Sequence, residues 1–238
     1  MPKPAKSVGK LVPKVPKVPR VGVPGVGGRR AAFSASTKRD LVDVAERLFT
    51  ENGYAGTSLD SIVAGAEVTK GALYHHFSGK QALFEAVFER VERDAAERIQ
   101  AALGAHADPW EKSLAGLRAF LDVVQEPGYR RVVIQEGPAV LGYERYRELE
   151  ERSTFANVLD IVQSVLDAGT WRLDEEMKQI FARIFFGALA TAGETVSISS
   201  EPEAAAQRVE AAIGFMLSGF QVLVENGADL PNSLADRP

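Results

Sequence analysis

Residues 53–87 read GYAGTSLDSIVAGAEVTKGALYHHFSGKQALFEAV, and the way this stretch divides into helices decides the fold. Before it, Leu41, Val44, Ala45, Leu48 and Phe49 recur at helix spacing, and Asn52-Gly53 stops that run. Thr57-Ser-Leu-Asp60 has the spacing of a capping box and predicts a short second helix burying Leu59, Ile62 and Val63. After the link Gly65–Val68, Thr69 opens a short third helix that buries Leu73 and Phe77. Ser78-Gly-Lys-Gln81 is spaced as another capping box and predicts a long fourth helix through Leu83, Val87, Val91 and Ala95 towards His106. At 1.5 Å per residue that helix is a rod of roughly 42 Å. Two short helices joined by so tight a turn cross steeply, as in a helix-turn-helix unit. The second helix of such a unit can enter the DNA major groove with its N-terminal residues at the base edges.

The side chains there suit that role. Thr69 can cap the helix and offer its hydroxyl to a phosphate, and Lys70 can donate to guanine O6 and N7. Gly71 and Ala72 allow close backbone approach, and the Ala72 methyl can touch a thymine methyl. Tyr74 carries a hydroxyl on a stiff ring. Lys80 and the free N–H groups behind Ser78 would form an anion site, as would Thr57 and Ser58 at the second helix. His75 and His76 are adjacent, so they project about 100° apart on a helix, whereas helical metal chelation needs i, i+4 spacing. They are read as one residue facing DNA and one packing behind it.

Charge is divided unevenly. Residues 1–30 hold eight Lys and Arg and no acid, which leaves the remainder at a net charge of −12. The same segment holds six of the twelve prolines, including VPKVPKVPR, and is expected to be a solvated basic arm that adds salt-dependent DNA affinity. Residues 31–80 carry five basic and six acidic residues, so positive charge in this unit must be local. There is no cysteine, which excludes disulfides and thiolate chemistry. No nucleophile motif, phosphate loop or metal-ligand cluster stands out, so no catalytic residue, metal or cofactor is expected, and the protein is read as a cytoplasmic non-enzyme without a membrane span.

The rest of the chain is helical in pattern. Asp108-Pro-Trp-Glu111 starts a fifth helix. A short helix or turn near residues 130–135 ends at Gly137-Pro138. Three longer helices follow over about 144–168, 174–197 and 202–225. The expected class is all-α with about nine helices, divided into an arm (1–33), a helix-turn-helix domain (34–82), a ligand-binding and dimerisation domain (83–228) and a tail (229–238). Trp110, Phe120, Tyr143, Phe155, Phe181 and Phe185 are candidates to line a ligand cavity, with ordinary core as the competing reading. Small and apolar residues form stripes: Ile184, Gly187, Ala188 and Thr191 on one helix, Ala211, Gly214, Phe215, Ser218 and Val222 on the last. Two copies of that helix pair would form a four-helix homodimer interface.

The stretch 53–87, above all KGALYHHFSGK, resembles the DNA-binding domain of the TetR family of bacterial transcriptional regulators, and the similarity runs over about residues 36–91. EGPAVLGYERYRELEE (Glu136–Glu151) is similar to a subset of the same family. The resemblance implies a homodimeric regulator, of the repressor kind, that binds a palindromic operator and is released by a small molecule. It places Lys70, Gly71 and Ala72 at base-contacting positions and Tyr74, His75 or His76, and Lys80 at phosphate-contacting ones. One departure is Glu67, where the family usually has glycine before the valine; a left-handed backbone there would cost about 1 kcal/mol. A constitutive architectural DNA-binding protein without a ligand is the alternative.

Overall fold

A computed structural model describes residues 26–169 and 173–227, so the greater part of the basic arm and the tail from residue 228 lie outside the described residues. Among the described residues there are ten α-helices, one π-helical segment and no strand, and the all-α expectation holds. The helices are α1 (Val26–Gly56), α2 (Leu59–Gly65), α3 (Lys70–His76), α4 (Lys80–Gly104) and α5 (Pro109–Gln125). After a π-helix (Tyr129–Glu136) come α6 (Gly137–Leu141), α7 (Tyr143–Ser153), α8 (Phe155–Asp167), α9 (Glu175–Ile198) and α10 (Pro202–Glu225). From Thr37 onward the described residues form one compact unit, and residues 26–36 belong to a separate one.

Local chemistry accounts for several helix starts. Thr69 accepts from Ala72 N, Asp108 from Trp110 N and Glu111 N, and Asp174 from Met177 N. Each such cap stabilises by about 1 kcal/mol. Five sequence expectations are corrected. The α1 backbone is helical from Val26, inside the segment expected to be an extended arm; the last arm proline is Pro24, and nothing after it forbids a helix. The α2 cap is Ser58, boxed with Ser61 rather than Thr57 with Asp60. The Ser78 box does not form: α4 starts behind Gly79 with no side-chain cap. The single helix expected over 144–168 divides at Thr154. Gly137-Pro138 likewise marks a change of helix type rather than a stop. Pro138 has no N–H to donate back into the preceding turn, and there the π-helix passes into α6.

The core begins in the first three helices and continues into the body. Leu41, Ala45 and Phe49 of α1, Ile62 of α2 and Leu73 of α3 are buried with Leu83, Phe84, Val87 and Phe88 of α4. The Phe49, Tyr54 and Phe84 rings meet at centroid distances of 5.2–5.9 Å. Gly65 lets α2 approach α1, because a Cβ there would lie 2.7 Å from Val44 Cγ1. Arg90 of α4 pairs with Asp43 and Glu46 of α1. One helix, Glu175–Ile198, has the length and composition to cross a bilayer, which the sequence reading did not find. The same composition suits a helix with one face in its own core and a second apolar face left open.

Candidate DNA-binding surface and effector cavity

On α3, Leu73 and Phe77 anchor the inner side, and Lys38 Nζ lies 5.7 Å from the Phe77 ring centroid. The i, i+4 burial of those two leaves Lys70, Gly71, Tyr74 and His75 outward and exposed. Lys70 pairs with Asp60 of α2 at 2.5 Å, and that carboxylate raises its pKa, so it is a cation at neutral pH. A Cβ on Gly71 would meet only Thr69 Oγ1, at 3.7 Å, so the outer surface is open at this point. Ala72 is half-buried. His76 is half-buried, with its ring 5.1 Å from His75 and 6.4 Å from Phe77; burial, then the neighbouring His75 and Lys38, lowers its pKa. The histidine pair therefore splits into an outer and an inner member. Glu67, in the turn between α2 and α3, has φ 54°, the left-handed backbone that the sequence anticipated.

Two expected DNA contacts turn out to be internal braces. Thr57 is 3% exposed, and its hydroxyl donates to Leu48 O and Gly53 O, at 3.0 and 2.8 Å. The Lys80 ammonium donates to Tyr54 O and Thr57 O, at 2.7 and 2.9 Å, and sits 4.2 Å from the Tyr54 ring centroid. Both bind backbone carbonyls in the last turns of α1 and at Thr57 just beyond it. Ser58 remains exposed at the start of α2.

The end of α1 is also held from the body. Gly53 has φ 72°, and a Cβ there would lie 2.5 Å from both Arg131 Nη2 and Glu136 Oε1. Glu136 accepts from Tyr54 N at 2.7 Å and pairs with Arg131 at 3.2 Å. The π-helix thus grips the last turn of α1. At its other end, Tyr129 donates to Glu92 of α4 at 2.8 Å, and Ser153 and Thr154 donate to the same carboxylate. Glu92 is 1% exposed, and burial raises its pKa. None of Tyr54, Glu92, Arg131 and Glu136 was anticipated, because the bonds that tie Tyr54 to Glu136 and Tyr129 and Ser153 to Glu92 span 37 to 82 residues of chain.

Deeper in the body, α4, α5, α8, α9 and α10 enclose a cavity of about 110 Å³. Phe120, Phe181 and Phe185 line it, as expected; Ile99, Met216 and Phe220 were missed. Trp110, Tyr143 and Phe155 do not. Trp110 is half-buried away from it; Tyr143 is 71% exposed with Arg147 over its ring; Phe155 packs edge-on against Phe186. Helical periodicity marks an apolar face but not whether that face meets a void or a neighbour. On the outer side of α9 and α10, Ile184 is 63%, Phe215 81% and Val222 54% exposed. Gly187, Ala188, Thr191, Ala211 and Ser218 are exposed around them, while Gly214 is half-buried. The hydroxyls of Thr191 and Ser218 donate to the carbonyls four residues back, at 3.1 and 2.9 Å, so this face holds few polar groups that need water.

Comparison with known proteins fits this geometry. Residues 41–87 match the family model described as bacterial regulatory proteins, tetR family, and residues 110–220 match the one described as tetracyclin repressor-like, C-terminal domain. The crystal structure of a TetR-family transcriptional regulator from Pectobacterium atrosepticum is 30% identical, covering 79% of this chain and 96% of that one, with a TM-score of 0.69. The chain belongs to the TetR family. Its members are DNA-binding transcriptional regulators, often ligand-responsive and generally not enzymes. The Transposon Tn10 TetC protein of Escherichia coli is 29% identical over 133 residues, 55% of this chain and 66% of that protein. The chain spans between 28% and 66% of the length of the first curated relatives it matches. RolR in complex with resorcinol shares the fold at 19% identity, with a TM-score of 0.61 over 82% of this chain and 96% of that one.

Proposed function

We propose that this TetR-family chain is a ligand-responsive repressor that binds a palindromic operator as a homodimer in the cytoplasm. The observation that carries the reading is the outward row Lys70, Gly71, Tyr74 and His75 on a helix pinned by Leu73 and Phe77. Lys70 donates to a guanine edge, and Gly71 with the half-buried Ala72 allows close approach. Thr69, Ser58, Tyr74 and His75 hold phosphates, and His76 supports the surface from behind. The dimer forms through α9 and α10, where apolar side chains stand in water without a partner in the protomer. The two copies of α3 then meet major grooves about 34 Å apart, or a multiple of that.

An effector in the cavity acts on the reading heads by two routes. Ile99 of α4 lines the cavity, and α4 runs back to the helix-turn-helix unit. Phe120 of the cavity wall and Ile134 of the π-helix both pack at Gly193, where a Cβ would meet them at 3.1 and 3.6 Å, and the π-helix ends on Glu136 at Tyr54. A ligand that prefers one position of these elements shifts the spacing of the two α3 helices, and so DNA affinity.

The test is binding to DNA upstream of the chain's own gene. Wild type should bind selectively in the presence of competitor DNA and moderate salt. Lys70→Ala with Tyr74→Ala should remove that binding while the dimer persists in sedimentation. Normal operator binding by the double variant overturns the assignment of α3.

A further inference from the structure

The geometry points to the chemical class of the effector: an uncharged, apolar molecule the size of a single ring, without a polar head. This rests on the reading that the cavity is a regulatory site, and it narrows that reading. No charged side chain lines the cavity. Three polar side chains reach its wall, and each is committed elsewhere. Ser113 donates to Pro109 O at 2.7 Å, Thr154 to Glu150 O at 3.2 Å and the Asn157 amide to Ala96 O at 3.0 Å. A carboxylate, ammonium or phosphate brought into this space would lose its water and find no counter-charge. A ligand hydroxyl could at most donate to one of these side-chain oxygens on an otherwise apolar wall, and so regains little of the hydrogen bonding that it loses in water. The remaining wall is aromatic and aliphatic, with Phe120, Phe181, Phe185 and Phe220 among it.

Volume sets the size. The space is about 110 Å³, somewhat below the ~150 Å³ of an apolar cavity that stays dry and takes up benzene. The occupant therefore has about six non-hydrogen atoms as the cavity stands. Met216 lines the cavity and is half-exposed on its outer side, so its flexible thioether can move to admit a methyl group. This differs from the resorcinol complex of the distant relative RolR, because resorcinol brings two hydroxyls that this wall does not serve.

The experiment titrates four ring compounds of similar size into the full chain by calorimetry: toluene, benzoate, benzylamine and resorcinol. Toluene is expected to bind at least about tenfold more tightly than each of the others, with a negative heat-capacity change. Equal or tighter binding of any polar compound overturns the inference, and so does the absence of saturable heat with toluene. Ile161→Phe, which fills the cavity from α8, should reduce toluene affinity at least about tenfold. Met216→Ala, at a half-exposed site that tolerates truncation, should shift preference from toluene towards propylbenzene. An unchanged preference in that folded variant counts against the cavity as the binding place. Release of operator DNA is measured separately. Toluene binding without release leaves the ligand class standing and removes the regulatory reading; release by benzoate but not toluene does the reverse.

Discussion

On α3 the outward residues are Lys70, Gly71, Tyr74 and His75; on α9 and α10 they are Ile184, Ala188, Phe215 and Val222. Both rows face water in the protomer, and they leave it for different reasons. The α3 row is charged and polar on a seven-residue helix, held by two buried side chains and one cap, and in the function proposed above its binding energy would come from phosphates and base edges. The α9–α10 row is apolar on two 24-residue helices, and in the proposed dimer water itself would drive it together with the same surface of a second copy. On that proposal the first would gain selectivity and salt dependence, the second permanence.

The largest expected effect separates the two rows. Phe215→Glu puts a charge at the centre of the apolar face and should weaken self-association by on the order of 3 kcal/mol or more, read by sedimentation. Operator affinity should fall with it although α3 is untouched. If the variant and wild type associate equally, the α9–α10 face is not the interface.

A second effect tests the ground between the rows. Burial, helped by the nearby Glu92 and Glu151 carboxylates and opposed by the Tyr146 hydrogen bond and by Arg147, pushes Glu150 of α7 up to about 7 from an ordinary 4.5. Between those values the folded protein keeps a proton that the unfolded chain releases. Stability should therefore fall as pH rises through that window, with a ceiling of about 3 kcal/mol. Glu92, also raised by burial, acts in the same direction. Glu150→Gln should flatten the slope in denaturant unfolding, and an unchanged slope assigns the titration elsewhere.

The two smaller effects concern the bracing of α3. Thr57→Val keeps shape but strips the hydroxyl from Leu48 O and Gly53 O, and should cost about 1–3 kcal/mol in thermal unfolding. Were Thr57 a DNA contact instead, stability would hold and only operator affinity would drop. Glu67→Gly relieves the left-handed backbone and should raise stability by up to about 1 kcal/mol. It also removes a negative charge beside the DNA surface, so operator affinity should rise slightly rather than fall.

What the sequence disclosed follows the range of the forces involved. The caps at Thr69 and Asp108 depend on neighbours two or three residues away and were readable. So were the burial of Leu73 and Phe77 and the strained turn at Glu67. Thr57 and Lys80 were read as DNA contacts, and composition does not show that their polar groups are engaged by the backbone carbonyls of Leu48, Gly53, Tyr54 and Thr57. Glu92 stands among charged residues that read as a wet face, yet Tyr129 and Ser153 close over it. The cavity was half legible. Phe120, Phe181 and Phe185 line it, whereas Tyr143 stands in solvent and Phe155 packs on Phe186, a distinction made only by helix rotation.

The π-helix between Tyr129 and Glu136 carries a further consequence for how this protein can change over generations. A π-turn is an α-turn with one residue too many. Deleting a single residue inside it would restore α-helical register and rotate Glu136 by about 100° away from Tyr54. The grip on Gly53 would be lost while the cavity, α3 and the α9–α10 face kept their own sequences. One codon in this segment thus separates a chain whose body holds its reading head from one whose two halves communicate through α4 alone.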